Sequence, residues 1–99
     1  LACDIRICVP SSKFFYPVMK MGYLPQPSDP KRLIDLIGPG RAKLMLVAGE
    51  KLDSDKAYEF GLVDEIVKVE NLISRAHTLL DASLSARSDH ISGIKRLMN

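Results

Sequence analysis

Ser88-Asp89-His90 places a hydroxyl, a carboxylate and an imidazole side by side, the three groups of a hydrolytic triad. Triad chemistry needs them to converge from separate segments, and adjacent residues cannot do so. A helix start capped by Ser88 accounts for them instead. His77 has no partner one helical turn away and reads as a packing residue at the edge of an apolar face. Asp53, Asp55, Glu59, Asp64 and Glu65 supply enough carboxylates for a cation, but not in the order of a calcium loop. They read as a solvated helix face, and no metal ligand is assigned. Lys31, Lys43, Lys51 and Lys56 could each meet a phosphate, yet their spacing selects none. Proton transfer could fall to Asp29, Tyr16 or Tyr23, although a helix cap explains the first and packing the other two.

Cys3 and Cys8 are the only cysteines. Five positions apart on a strand they face opposite sides, which points to reduced core thiols in a cytoplasmic protein. A net charge of +2, spread along the chain, suggests neither nucleic acid nor an anionic membrane as partner. Apolar runs such as Leu44 to Ala48 fall far short of the roughly 20 residues of a spanning helix. At 99 residues the chain is one domain or a piece of one. The opening Leu1-Ala2-Cys3-Asp4-Ile5 reads as the middle of a structural unit, so a fragment is expected.

The elements that must position any site follow from pattern and punctuation. Asp4 to Val9 alternates polar with apolar and predicts a strand, and Lys13 to Tyr16 predicts a second that stops at Pro17. Val18 to Pro27, broken by Gly22, Pro25 and Pro27, predicts an irregular loop. Asp29 as N-cap with Pro30 at the first helical position opens a helix whose buried stripe is Leu33, Ile34 and Ile37, ended by Gly38. Pro39 starts the next, with Ala42, Met45 and Leu46 on one face and Gly49 closing it. Asp53 caps a third, carrying Ala57 and Phe60 inward to Gly61. Leu62 to Val69 predicts a strand or extended segment. Leu72, Ile73, Ala76, Leu79, Leu80 and Leu84 give the strongest amphipathic helix. A last helix capped by Ser88 turns Ile91, Ile94 and Met98 inward, weakened by Gly93.

The stretch KFFYPVMKMGYLPQPSDPKRL, Lys13 to Leu33, passes from strand through loop to helix start, a sequence of elements that often builds binding sites. It resembles the enoyl-CoA hydratase/isomerase (crotonase) superfamily in its aromatic residue, proline, Gly22, Pro25 and Arg32-Leu33. Gly38 to Val67, within IGPGRAKLMLVAGEKLDSDKAYEFGLVDEIV, is similar to the same family at Arg41-Ala42-Lys43, Gly49, Leu52, Ala57 and Gly61-Leu62-Val63. LACDIRIC and GIKRLMN also resemble family segments. The resemblance implies an α/β, crotonase-like spiral. Residues 1–27 would hold its trailing strands and pocket loop, and residues 28–99 a helical region with an extended segment near 62–69.

The resemblance also implies an acyl-CoA thioester as substrate and a thioester enolate as intermediate. Two backbone N–H groups hold the thioester oxygen and one or two carboxylates move protons. No cofactor is expected apart from the coenzyme A of the substrate. The N–H donors and the first glutamate would lie upstream of Leu1, in an N-terminal half acting as partner, and the assembly would be a trimer or hexamer. The second family glutamate corresponds to Val18, so no catalytic residue is intact and hydration by two carboxylates is not expected. Val18, Met21, Leu24 and Gln26 are the substrate-contact candidates, Gln26 replacing a residue of the family's glycine-rich turn. An enzyme using one acid, an acyl-CoA binder without catalysis, and a purely structural segment remain open alternatives.

Overall fold

Proline and glycine set most of the boundaries. In the computed structural model, which describes residues 1–99, strand β1 (Ile7–Cys8) is followed by β2 (Lys13–Phe14), α1 (Val18–Met21), α2 (Asp29–Ile37) and α3 (Pro39–Leu46). Then come β3 (Leu52–Asp53), α4 (Ser54–Phe60), β4 (Glu65–Ile66), a single 3-10 turn (Val69–Asn71), α5 (Leu72–Leu84) and α6 (Ser88–Leu97). No helix is long and apolar enough to cross a membrane.

Both predicted strands contract to two residues, and neither lacks a partner. β1 pairs in parallel with β4, Ile7 opposite Glu65, and β2 pairs antiparallel with β3, Phe14 opposite Leu52. Arg6 staples the first pair. Its backbone N–H donates to Asp64 Oδ2 at 2.8 Å, its Nε to the Leu62 carbonyl at 2.7 Å and its Nη1 to the Cys3 carbonyl at 2.6 Å. Ser54, buried, donates from Oγ to the Pro10 carbonyl at 2.8 Å and ties α4 to the β1–β2 turn. The extended segment at 62–69 contains only β4 as strand, and its tail winds into the 3-10 turn.

The region read as loop begins with a helical turn. Pro17 supplies its N-cap position, and Gly22 ends it at φ 74°. In α2 the cap position falls to Ser28, and Asp29 is the first helical residue. Ser28 Oγ accepts from Arg32 Nη1 at 3.2 Å rather than from a backbone N–H. The buried stripe of α2 is Leu33 and Ile37 with Leu36 half-buried, whereas Ile34 faces out. The third helix follows its sequence: Asp53 Oδ1 accepts from the Lys56 N–H at 2.8 Å, as an N-cap should. Gly61 ends α4 at φ 86°, a left-handed conformation that costs a side-chain-bearing residue roughly 1–2 kcal/mol. A Cβ there would also stand 3.3 Å from the Leu36 carbonyl oxygen.

Cys8, Leu33, Ile37, Ala42, Met45, Leu52, Ala57, Leu62 and Val63 form one core cluster. It joins α2, α3 and α4 to the two strand pairs. Cys8 belongs to it, but Cys3 is exposed, because it lies before β1 begins at Ile7 and the strand alternation does not reach it.

Two amphipathic helices depart from expectation. No residue of α5 or α6 is buried: Ile73, Leu80 and Leu84 on α5, Ile94 on α6 and Met98 just after it are all exposed. Arg87, not Ser88, occupies the α6 cap position, and its backbone carbonyl accepts from the His90 and Ile91 N–H groups. Leu72, Ala76, Leu79 and Ile91 are half-buried, with Ala76 and Leu79 beside Ile5 and Ile7, and polar clamps add to that contact. Arg75 on α5 grips Glu65 on β4 through Nε and Nη2, both at 2.8 Å, and Lys95 on α6 meets Asp4 at 2.9 Å. The radius of gyration, 15.5 Å, exceeds the about 13 Å of a compact domain of this length, as protruding helices require.

Candidate functional site

A strand, a helical turn and a helix start meet between Lys13 and Leu33. Tyr16 stands at their junction, packed against the core cluster, and its hydroxyl donates to Asp29 Oδ2 at 3.0 Å. Asp29 therefore does not cap its helix. It holds the segment leaving β2 against the first turn of α2. Burial, then the hydrogen bond and charge of Asp29, push the Tyr16 phenol up from 10.0 to about 12. A phenol so held is neutral at physiological pH with its proton turned toward Asp29, so it serves poorly as a base.

This pair predicts a delayed ionisation. In an ultraviolet titration of the folded protein, one tyrosine should ionise near pH 12, and Asp29→Asn should bring it lower. Because the folded value lies above the unfolded one, the pair's contribution to stability is complete below pH 10 and lost between 10 and 12. Ionisation of every tyrosine near pH 10 would mean that the pair does not form.

The four substrate-contact candidates are not brought together. Val18, first residue of α1, is 4% exposed, while Leu24 is 88% exposed. Met21 is also exposed, and Gln26, exposed, uses its backbone carbonyl to accept from the Asp29 N–H at 3.0 Å. Among them only Met21 lines the concavity nearby, a groove of about 420 Å³ between Phe15–Met21 and Ala48–Lys51. Lys20 and Lys51 line it as well, and the Lys51 ammonium sits 5.0 Å over the Phe15 ring. Spacing alone could not select Lys51 or bring it to Phe15, because the antiparallel pairing of β2 with β3 joins them.

The remaining polar constellations are spoken for. Asp89 pairs with Arg87 at 3.2 Å, not with His90. Asp53 caps α4, Asp64 meets Arg6, and Glu65 is held by Arg75, whose hydrogen bond draws the Glu65 carboxyl below its ordinary value. No three His, Cys, Asp or Glu side chains converge in a way that could hold a metal ion.

Comparison with known proteins gives these elements a context. Crotonyl-CoA hydratase of Syntrophomonas wolfei subsp. wolfei is 33% identical over 85 residues, 86% of this chain and 33% of that protein. Carnitinyl-CoA dehydratase of Citrobacter koseri is 27% identical over 97 residues, 98% of this chain and 37% of that protein. Among solved structures, Pseudomonas aeruginosa DspI superimposes with a TM-score of 0.89 at 31% identity, covering 98% of this chain and 40% of its own. The chain thus spans between 33% and 40% of the length of these relatives. Its α/β arrangement is that of the crotonase fold, and the family profile for enoyl-CoA hydratase/isomerase matches residues 1–99 without interruption. With sequence and fold in agreement over its whole length, the chain belongs to the enoyl-CoA hydratase/isomerase family.

Proposed function

We propose that the protein processes an acyl-CoA thioester through its enolate, by a reaction other than two-carboxylate hydration. The carrying observation is the family match over residues 1–99; we read Val18, which follows Pro17, as standing where the resemblance implies the second family acid. An enolate route needs donors for the thioester oxygen and at least one group to move a proton. The Val18 side chain can move no proton, and Tyr16 is committed to Asp29. In this reading a single acid supplied by the remainder of the protein performs isomerisation or a related enolate step, and Val18 offers only apolar bulk.

An acyl-CoA binder without turnover is the second reading, and the same valine favours it. In either case the apolar faces of α5 and α6 meet further polypeptide, as the rest of the protein or as neighbouring copies in a trimer or hexamer. Burying Ile73, Leu80, Leu84 and Met98 there would gain roughly 25 cal/mol per Å² covered.

Calorimetric titration with butyryl-CoA and turnover of crotonyl-CoA test the proposal on the protein carrying this chain. Saturable binding with little hydration is expected. Isomerisation of a 3-enoyl-CoA favours the enzyme, and binding alone favours the binder. Absence of any acyl-CoA binding would end both readings, and rapid hydration by the unmodified protein would remove the role given to Val18.

A further inference from the structure

The groove between the end of β2 and the turn before β3 carries a pair of lysines that the acyl-CoA reading does not use. Phe15, Pro17, Met19 and Met21 give it apolar walls, while its only charged lining residues are Lys20 and Lys51. No carboxylate lines it. Neither lysine has an ion-pair partner, whereas Lys31 and Lys95 are paired with Asp35 and Asp4. Lys51 is held over the Phe15 ring at 5.0 Å, which orders its ammonium above the apolar surface. The volume, about 420 Å³, falls in the roughly 300–1,000 Å³ range of small-ligand pockets.

These features select the occupant by charge complementarity. A bare inorganic anion would leave the apolar walls unused. A neutral hydrocarbon would leave two ammonium groups unanswered. We propose that the groove binds an aliphatic carboxylate, its chain against Phe15, Met19 and Met21 and its head between Lys20 and Lys51. Val18 itself does not line the groove, although its neighbours Pro17 and Met19 do, so the site adjoins the position of the family acid; binding a carboxylate there requires no thioester turnover.

Octanoate serves as the probe, titrated calorimetrically into the intact protein. Saturable binding is expected, weakened by added salt, with 1-octanol binding less tightly. The double variant K20Q/K51Q should weaken octanoate by about tenfold and leave 1-octanol unchanged. A second variant, Met21→Glu, should abolish octanoate binding by placing a carboxylate in the groove. All three positions are exposed, so folding should survive each change, and circular dichroism verifies it. Equal binding of octanoate and 1-octanol, or an unchanged affinity in K20Q/K51Q, overturns the proposal. So does displacement of octanoate by coenzyme A lacking an acyl group, since the lysines would then belong to the nucleotide end of a thioester. That last result would leave the acyl-CoA reading standing, whereas octanoate binding without acyl-CoA binding would sink that reading alone.

Discussion

Val18→Glu should raise hydration of crotonyl-CoA by about 10²–10⁴-fold in the protein carrying this chain, the usual worth of one positioned proton-transfer group. The expectation begins with where Val18 stands. It is the first residue of α1, immediately after Pro17, and is 4% exposed. Apolar surroundings disfavour the charged carboxylate and raise its pKa toward neutrality. A helix of four residues opposes this only weakly, since its aligned dipoles are few. Burial therefore wins, and the new carboxyl should titrate closer to the working pH than a free glutamate. Its extra length carries a stability cost of about 1–3 kcal/mol from overpacking. Val18→Gln has the same bulk and polarity without a proton to give, and it should stay as inactive as the parent. Hydration rates across pH for the three proteins decide the matter. Folded Val18→Glu and Val18→Gln proteins of equal, negligible activity would show that this position no longer addresses the reacting carbons.

How much of this was readable beforehand divides along physical lines. Local chemistry was legible. Asp53 caps α4 because its carboxylate reaches a backbone N–H three residues on, and Gly61 ends that helix because a positive φ suits glycine. The Ala42–Met45 face could be read from helical period, and both residues are buried. Long-range pairing was not. β3 and β4 have two residues each, too short to alternate, so nothing announced that they would take β2 and β1 as partners. Asp29 misled for a related reason. Before Pro30 it has the residue type of a cap, but Tyr16, brought close by the fold, offers its carboxylate a hydroxyl instead.

The amphipathic helices teach the opposite lesson. Periodicity reports which face of α5 is apolar, not what covers it, and in this chain Leu84 is 71% exposed. At the candidate site the same division holds. Residues 13–33 could be singled out by their run of aromatic, proline and glycine residues. The groove could not, because Lys51 enters it across a strand pair.

Leu52→Ala should destabilise the fold by about 2–5 kcal/mol, the range for truncating a fully buried leucine. Leu52 is 0% exposed and lies opposite Phe14, one of the two residue pairs joining β2 to β3. Removing its side chain opens a cavity between that pair and the core cluster, which includes Leu33, Met45 and Ala57. Collapse into the cavity is constrained, since the two residues that follow are both tied down, Asp53 as the cap of α4 and Ser54 by its bond to Pro10. Only eleven of the 99 residues are buried, so little other apolar packing can offset the loss. Native domains have roughly 5–15 kcal/mol in all, and a loss of this size takes much of that margin. Denaturant unfolding should show a lower midpoint for Leu52→Ala. Leu52→Met, which conserves volume, should cost less than about 1.5 kcal/mol. Leu44→Ala, at a position 45% exposed, is the control and should shift stability by about 0.5 kcal/mol or less. If Leu52→Ala moves the midpoint no further than Leu44→Ala does, the β2–β3 pair is not packed on the core, and the groove built across it loses its frame.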